Sequence, residues 1–128
     1  MNQQKTVAVV GASGDRGKYS NKAVRAYAAQ GWIVFPVNPK GGTIEGHKAF
    51  ASVGDIPSPI DRVTLYLPPD VGLKALSAIA EKKPTEFFVN PGAESDALVE
   101  RAKELGLDPI LACSIVEIGL SPKEFPDA

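Results

Sequence analysis

The sequence is poor in the residues that build disulfides, metal sites and most catalytic dyads. It has one cysteine, Cys113, and one histidine, His47, among 128 residues. A single cysteine excludes a disulfide within the chain, and one histidine with one cysteine supplies no zinc-type ligand set. His47 lies in a glycine-rich connection with no nucleophile or partner acid beside it in sequence, so we interpret it as a loop residue. We therefore predict neither a metal site nor a catalytic residue.

Long apolar runs are also absent. No run approaches the roughly 18 to 20 residues of a membrane-spanning helix, and the first residues, MNQQKTVAVV, lack the features of a secretory signal. We expect a cytoplasmic protein without a membrane partner. The length fits one domain over residues 1–128, which leaves no room for a second, substrate-binding domain.

Charge is nearly balanced overall but unevenly distributed along the chain. Residues 1–48 carry seven basic and two acidic side chains, whereas residues 49–128 carry seven basic and thirteen acidic ones. A local excess of positive charge can attract an anionic ligand. Nucleic acid is not a predicted partner, because the net charge is −1 and no run of basic residues occurs.

Five short apolar segments alternate with helical patterns. The predicted strands are residues 7–10, 32–37, 63–67, 86–89 and 109–112. This alternation indicates right-handed βαβ units, and therefore an α/β fold: a single Rossmann-like domain with a five-stranded, mainly parallel sheet and helices on both faces. Numbered along the chain, the strands are expected in the order 3-2-1-4-5. Residues 115–118 are expected to add a short strand, and residues 122–128 to form a tail.

The strand ends predict where a ligand binds. Loops leave the carboxyl ends of neighbouring strands at residues 11–20, 38–42 and 67–70, and residues 90–94 lie beside them. In open parallel sheets, ligands bind outside these ends, near the point where the strand order reverses. The candidate site therefore follows from topology before any motif is considered.

The first of these loops, GASGDRG at residues 11–17, is rich in glycine but is not the strict G-x-G-x-x-G fingerprint. Glycines there allow the backbone to approach a pyrophosphate, whose charge the following helix N-terminus favours. Ser13 and Ser20 offer hydroxyl donors, while Arg16 and Lys18 offer positive charge. The alternative is a loop whose glycines only permit a turn.

The segment PVNPK at the end of the second strand indicates which kind of nucleotide the chain would bind. Enzymes that bind NAD usually place an acidic residue about 20 positions after the glycines, to hold the ribose 2′-hydroxyl. Here Asn38 occupies that region, and no acidic residue occurs between positions 16 and 44. With Lys40 alongside, the pattern favours a phosphorylated ribose. NADP, with a 2′-phosphate, and coenzyme A, with a 3′-phosphate, both fit.

The stretch VAVVGASGDRGKYSNKAVRAYAAQGWIVFPVNPK resembles the start of the small bacterial coenzyme A-binding proteins. These are stand-alone relatives of the N-terminal nucleotide domain of the succinyl-CoA synthetase alpha subunit. The resemblance continues through DIPSPIDRVTLYLPPD, FFVNPGAES and ELGLDPILACSIVEIG. It departs from many small relatives in its glycine loop, which is closer to the synthetase pattern and brings Asp15 near the expected phosphates.

The resemblance implies a set of coenzyme-binding residues. Those that would cradle the phosphates are Gly11, Ala12, Ser13 and Arg16, with Ser20 and Asn21 opening the helix. The lysine that would contact the nucleotide end is Lys40. The residues that would flank the adenine are Leu67, Pro68 and Pro69, and those that would contact the coenzyme beyond its nucleotide are Asn90, Pro91 and Gly92.

The function that the resemblance implies is binding of coenzyme A or an acyl-CoA by a stand-alone module without catalysis of its own. Two alternatives stay open: an NADP-binding oxidoreductase fragment, and a subunit of a larger acyl-CoA ligase. A protein partner or a homo-oligomer is compatible with each. Cys113 is interpreted as a small core residue, with a mixed disulfide to the coenzyme thiol as the alternative.

Overall fold

A five-stranded parallel sheet forms the centre of the computed structural model, which describes residues 4–128. Its strands are Thr6–Val10 (β1), Ile33–Val37 (β2), Arg62–Leu65 (β5), Glu86–Val89 (β6) and Pro109–Leu111 (β7). A small antiparallel hairpin is made by Thr43–Ile44 (β3) and His47–Lys48 (β4). The helices are Tyr19–Ala29 (α1), Pro69–Lys82 (α2), Asp96–Glu104 (α3) and Ser114–Glu117 (α4), with 3-10 turns at Val53–Asp55 and Pro122–Glu124.

The parallel α/β sheet is as predicted, but the predicted strand order is wrong. The observed order is β2-β1-β5-β6-β7, which is 2-1-3-4-5 when the five strands are numbered along the chain, not 3-2-1-4-5. The cause lies in the connection from β2 to β5. Its apolar residues Val53, Ile56 and Ile60 pack with α2 and α3, on the face opposite α1. A right-handed crossover on that face must run back past β1, so β5 pairs with the free edge of β1.

Two apolar layers enclose the sheet. Along β1, Ala8 and Val10 join the cluster under α2 and α3, whereas Val7 and Val9 join the cluster under α1. All four side chains are buried, as the period of two requires for a strand covered on both faces. Within residues 4–128, no helix is both long and apolar enough to cross a membrane.

The last part of the chain differs from its predicted structure. Residues 115–118 do not add a strand, because the segment from Ser114 to Glu117 is helical. The backbone N–H of Ser114 donates to Asn90 Oδ1, and the Ser114 hydroxyl shares a 2.7 Å hydrogen bond with that of Thr64. These bonds to β5 and to the end of β6 fix where α4 begins. Beyond it, residues 122–128 are not a free tail but pack on α1 through Arg25 and Lys22.

An arginine buried at the start of β5 ties four elements together. The Arg62 guanidinium donates to Glu86 Oε1 at 2.8 and 3.0 Å, to Glu117 Oε1 at 2.5 Å and to the Tyr27 hydroxyl at 3.3 Å. Its centre lies 4.4 Å from the ring centroid of Phe88. Burial raises the pKa of Tyr27, so its phenol stays neutral beside these groups. The cluster joins α1, β5, β6 and α4 at the end of the sheet opposite the predicted ligand site.

Candidate binding site

A cavity of about 420 Å³ opens at the carboxyl ends of β1, β5 and β6. The chain leaves β1 toward α1 on one face of the sheet and leaves β5 toward α2 on the other, so the cavity lies where the strand order reverses. Its lining residues are Gly11, Lys18, Tyr19 and Ser20, then Tyr66, Leu67 and Pro68, then Pro91, Gly92 and Ala93. We refer to it as the main cavity.

A second cavity of about 250 Å³ adjoins the main cavity and shares Gly11 and Leu67 with it. We refer to it as the apolar cavity, because most of its walls are aliphatic. Its other lining residues are Val10, Val37, Pro39, Ala51, Ser52, Val53, Val71, Lys74, Ala75 and Ala78. Aliphatic walls of this kind suit an apolar, planar group, and the shared residues put this cavity directly beside the glycine loop.

Gly11 is the residue at which the two cavities meet. Its φ of +92° is one that side-chain-bearing residues rarely adopt, and an added Cβ would lie 3.0 Å from Leu67 Cδ2. The N–H groups of Gly11 and Ala12 both donate to Val37 O at 3.1 Å, which ties the loop to β2. These two N–H groups are therefore used within the protein, and an anion at this loop would need other donors.

Such donors lie at the start of α1. The helix begins after Lys18 without a side-chain cap, and Lys18, Tyr19 and Ser20 all line the main cavity. The first N–H groups of a helix have no intrahelical partner, and its N-terminal end favours negative charge. The Lys18 side chain supplies the one cation among the lining residues of this cavity. The arrangement fits an anion such as a pyrophosphate.

Two of the sequence-predicted residues brace the loop and line neither cavity. Arg16 donates through Nη1 to the carbonyl of Ala128 at 2.9 Å, and its Nε lies 3.4 Å from Glu45 Oε2. Asn21 is fully buried and donates to the carbonyl of Ser13 at 2.8 Å. The Arg16 partners lie 29 and 112 residues away along the chain, so a local sequence motif does not indicate them.

The Asp15 carboxylate, which sequence analysis placed near the phosphates, is engaged within the loop. The carboxylate accepts a 3.0 Å hydrogen bond from the N–H of Gly17, and the backbone N–H of Asp15 donates to Ser13 Oγ at 3.0 Å. Ser13 thus serves the loop's internal geometry and lines neither cavity.

The loop after β2 places its lysine outside both cavities. Lys40 is exposed, and its N–H donates to Asn38 Oδ1 at 2.8 Å. The Asn38 amide in turn donates to the carbonyl of Ala12 at 2.8 Å, which joins this loop to the glycine loop. Lys40 directly follows Pro39, a wall of the apolar cavity.

The loops after β5 and β6 supply the remaining predicted residues. Leu67 lines both cavities and Pro68 the main one, whereas Pro69 begins α2 and lines neither. Pro91 and Gly92 line the main cavity. Asn90 is buried behind them, where its amide donates to Thr64 Oγ1 at 2.6 Å and to the carbonyl of Leu65 at 3.0 Å. Asn90 thus positions the loop that follows it.

Sequence reasoning did not identify the two tyrosines of the main cavity. Tyr19 opens α1 and is 63% exposed, although it is a large aromatic residue. Tyr66 follows β5, and its hydroxyl lies 3.4 Å from Ser114 Oγ. Burial raises the pKa of Tyr66 well above its usual value, so the phenol is neutral at physiological pH. Tyr66 could have been identified from its position, because it is an aromatic residue with a polar hydroxyl at the carboxyl end of a predicted strand.

The chain's last residues contact the basic side chains beside the glycine loop. Lys22 Nζ lies 2.6 Å from Asp127 Oδ1, and Arg25 Nη1 donates to the carbonyl of Pro126 at 3.0 Å. With Arg16 bonded to Ala128, these contacts engage three of the seven basic residues in the first 48 positions. Lys18 and Lys40 have no such contact with this segment.

The Lys22–Asp127 pair predicts a pH dependence. The hydrogen bond from Lys22 lowers the pKa of the Asp127 carboxyl. A lowered folded-state pKa means that the contribution is present above the unfolded value of about 3.9 and is lost as the pH falls through the folded value. We expect the Lys22–Asp127 pair to persist to a lower pH than an unpaired aspartate would allow, which a carboxyl-carbon NMR titration of Asp127 tests. A pKa at or above the ordinary value would contradict the pairing.

Residues 5–119 match the family model described as the CoA binding domain. Over 99 residues, the chain is 31% identical to the ADP-forming acetate–CoA ligase I of Archaeoglobus fulgidus. That match covers 77% of this chain and 14% of the ligase, so the chain spans about one seventh of that relative's length.

Solved structures share the fold. A conserved hypothetical protein from Pyrococcus furiosus is 32% identical with a TM-score of 0.79, and the match covers 90% of this chain and 99% of that one. The dinucleotide-forming acetyl-coenzyme A synthetase 1 of Ca. Korarchaeum cryptofilum is 26% identical with a TM-score of 0.70, over 83% of this chain and 25% of the synthetase. The resemblance seen in the sequence is confirmed: the chain belongs to the CoA binding domain family.

Proposed function

We propose that this chain binds coenzyme A, free or acylated, across its two joined cavities and performs no chemistry of its own. The observation that carries the proposal is the junction at Gly11 and Leu67, where an aliphatic slot meets a cavity bordered by an uncapped helix start. Coenzyme A has the matching sequence of groups: an adenine, then phosphates with about four negative charges in all. Family membership supports the same ligand.

The absence of catalysis is part of the proposal and is supported by the side chains that line the cavities. Neither cavity has a histidine, aspartate or glutamate, the most common general acids and bases, among its lining residues. The titratable side chains that do line them are Lys18, Tyr19, Tyr66 and Lys74, and burial keeps the Tyr66 phenol neutral by raising its pKa. The chain would therefore hold its ligand for release or for presentation to another protein.

Titration calorimetry with coenzyme A, 3′-dephospho-coenzyme A and NADP tests the proposal. We expect coenzyme A to bind, and the dephospho form to lose roughly 1.5 to 3 kcal/mol, the scale of a hydrogen bond to a charged group. Lys40→Ala should remove most of that difference, because Lys40 is exposed and directly follows Pro39, which lines the apolar cavity. The matched control is Lys103→Ala, which changes an exposed lysine on α3.

A variant of a second lysine distinguishes binding of the pyrophosphate from binding of the 3′-phosphate. Lys18→Met should weaken coenzyme A and its dephospho form about equally, by roughly 1.5 to 3 kcal/mol, because Lys18 borders the main cavity where the pyrophosphate would lie. Preferential binding of NADP would instead support the oxidoreductase alternative. Failure of all three ligands to bind would overturn the proposal.

The ligase-subunit alternative is favoured by one observation, the similarity to the much longer acetate–CoA ligase. Under this alternative, a partner supplies the rest of the ligase site. An assay of the purified chain with ATP, acetate and coenzyme A tests whether the chain is catalytic by itself, and we expect no acetyl-CoA. Product formation by the chain alone would overturn the non-catalytic part of the proposal.

A further inference from the structure

A third, small cavity of about 50 Å³ adjoins the main cavity on the side away from the apolar cavity. It shares Tyr19, Tyr66 and Pro91 with the main cavity, and its other walls are Asn90, Cys113 and Ile115. The three cavities thus form a series, each joined to the next by shared walls. An elongated ligand whose ring lies in the apolar cavity would end at the small cavity.

We propose that the small cavity selects the acyl state of the ligand: it accepts a free thiol or a group as small as acetyl, and it rejects longer or negatively charged acyl groups. This inference rests on the proposed function. With adenine in the apolar cavity and the pyrophosphate at the start of α1, the pantetheine arm crosses the main cavity. Its sulfur, and any group esterified to it, then reaches the walls formed by Tyr66 and Cys113.

The size of the small cavity sets the first limit. A volume of about 50 Å³ holds only a few water-sized groups, since one such group needs roughly 10 to 15 Å³. Two of its walls, Ile115 and Asn90, are fixed in the interior. Ile115 is fully buried, and Asn90 is held by hydrogen bonds from its amide to Thr64 and from the N–H of Ser114 to its carbonyl oxygen.

Charge sets the second limit. The six lining residues include no lysine or arginine, and both N–H groups of the Asn90 amide are already used within the protein. Lys22 Nζ lies 5.8 Å from the Tyr19 ring centroid, but it is paired with Asp127. A carboxylate brought into this cavity would lose water without gaining a cation.

Calorimetry of the full chain with coenzyme A, acetyl-CoA, octanoyl-CoA and succinyl-CoA tests the inference. We expect coenzyme A and acetyl-CoA to bind within threefold of each other, and the other two to bind at least tenfold more weakly. Four affinities within threefold would overturn the selection while leaving coenzyme A binding intact. Binding of none of the four would overturn the proposed function and the selection together.

A variant of the outer wall separates selection from a general loss of affinity. Tyr19 is largely exposed, so Tyr19→Ala opens the small cavity to solvent without removing a core residue. We expect this variant to bind octanoyl-CoA and succinyl-CoA within threefold of coenzyme A. Tyr19→Phe keeps the ring and should retain the tenfold discrimination. If Tyr19→Ala still discriminates tenfold, this wall does not select the acyl group and the inference is wrong.

Discussion

Gly11→Ala is expected to weaken coenzyme A binding by roughly 10- to 100-fold. The added Cβ would lie 3.0 Å from Leu67 Cδ2 and 3.2 Å from the Leu67 backbone nitrogen, at a φ of +92°. The free variant can relax its loop to relieve this strain. Binding then requires the strained conformation again, and that cost appears as lost affinity.

Gly14→Ala is the matched control, because it adds the same methyl group three residues along the same loop. No atom lies within 4 Å of a Cβ at position 14, and its φ is not in the left-handed region. We expect coenzyme A affinity within about twofold of the unmodified chain. Calorimetry measures both variants, with circular dichroism to establish that each is folded. Equal affinities for the two variants would show that the Gly11 junction is not part of the binding site.

Arg62→Met is expected to lower the free energy of unfolding by about 3 kcal/mol. Removing one partner of a buried ion pair typically costs about 3 to 5 kcal/mol, because the other partner is left uncompensated. The lower end applies here, since the Glu86 and Glu117 side chains are 34% and 45% exposed and keep part of their hydration. Methionine fills much of the arginine volume beside Phe88, so the loss reports chiefly on charge and hydrogen bonding.

Arg101→Met provides the comparison on the surface. Its guanidinium is 3.4 Å from Glu104 and its side chain is 51% exposed, so we expect a change below about 1 kcal/mol. Urea unfolding, monitored by far-ultraviolet circular dichroism, measures the free energy of unfolding of both variants. The dependence of that free energy on urea concentration should be the same for both, which shows that the folded and unfolded states being compared are alike. Losses of similar size at positions 62 and 101 would contradict the structural role assigned to the buried cluster.

Local pattern was sufficient to predict the five strands of the central sheet but not their order, and it did not predict the β3–β4 hairpin. Residues 86–89 form a strand, as the sequence predicts, because a short apolar run bounded by turn residues is typical of a buried strand. The strand order depends on where Val53, Ile56 and Ile60 pack, and three isolated apolar residues in a loop do not state which face they cover. The same limit explains why residues 115–118 were wrongly predicted as a strand. The start of α4 is fixed by hydrogen bonds that Ser114 makes with residues distant in sequence.

In the candidate site, the positions of the loops could be predicted from the sequence, but the directions of several side chains could not. Loops at the carboxyl ends of parallel strands are placed by topology alone, and Leu67, Pro68 and Gly92 indeed border the main cavity. Arg16 and Asn21 lie in the same sequence motif but are turned toward partners elsewhere in the chain. A motif specifies which backbone approaches a ligand more reliably than it specifies where a long side chain is directed.

The buried arginine also constrains how this chain can diverge. Because one Arg62 serves both Glu86 and Glu117, losing either glutamate leaves a one-to-one pair, whereas losing the arginine leaves two carboxylates without their shared cation. Loss of the arginine alone would be removed by selection, whereas its joint replacement with both glutamates by well-packed apolar residues would be tolerated. Homologous chains that lack the arginine should therefore lack both glutamates as well, so that the three positions, 24 and 31 residues apart along the chain, diverge in a fixed order.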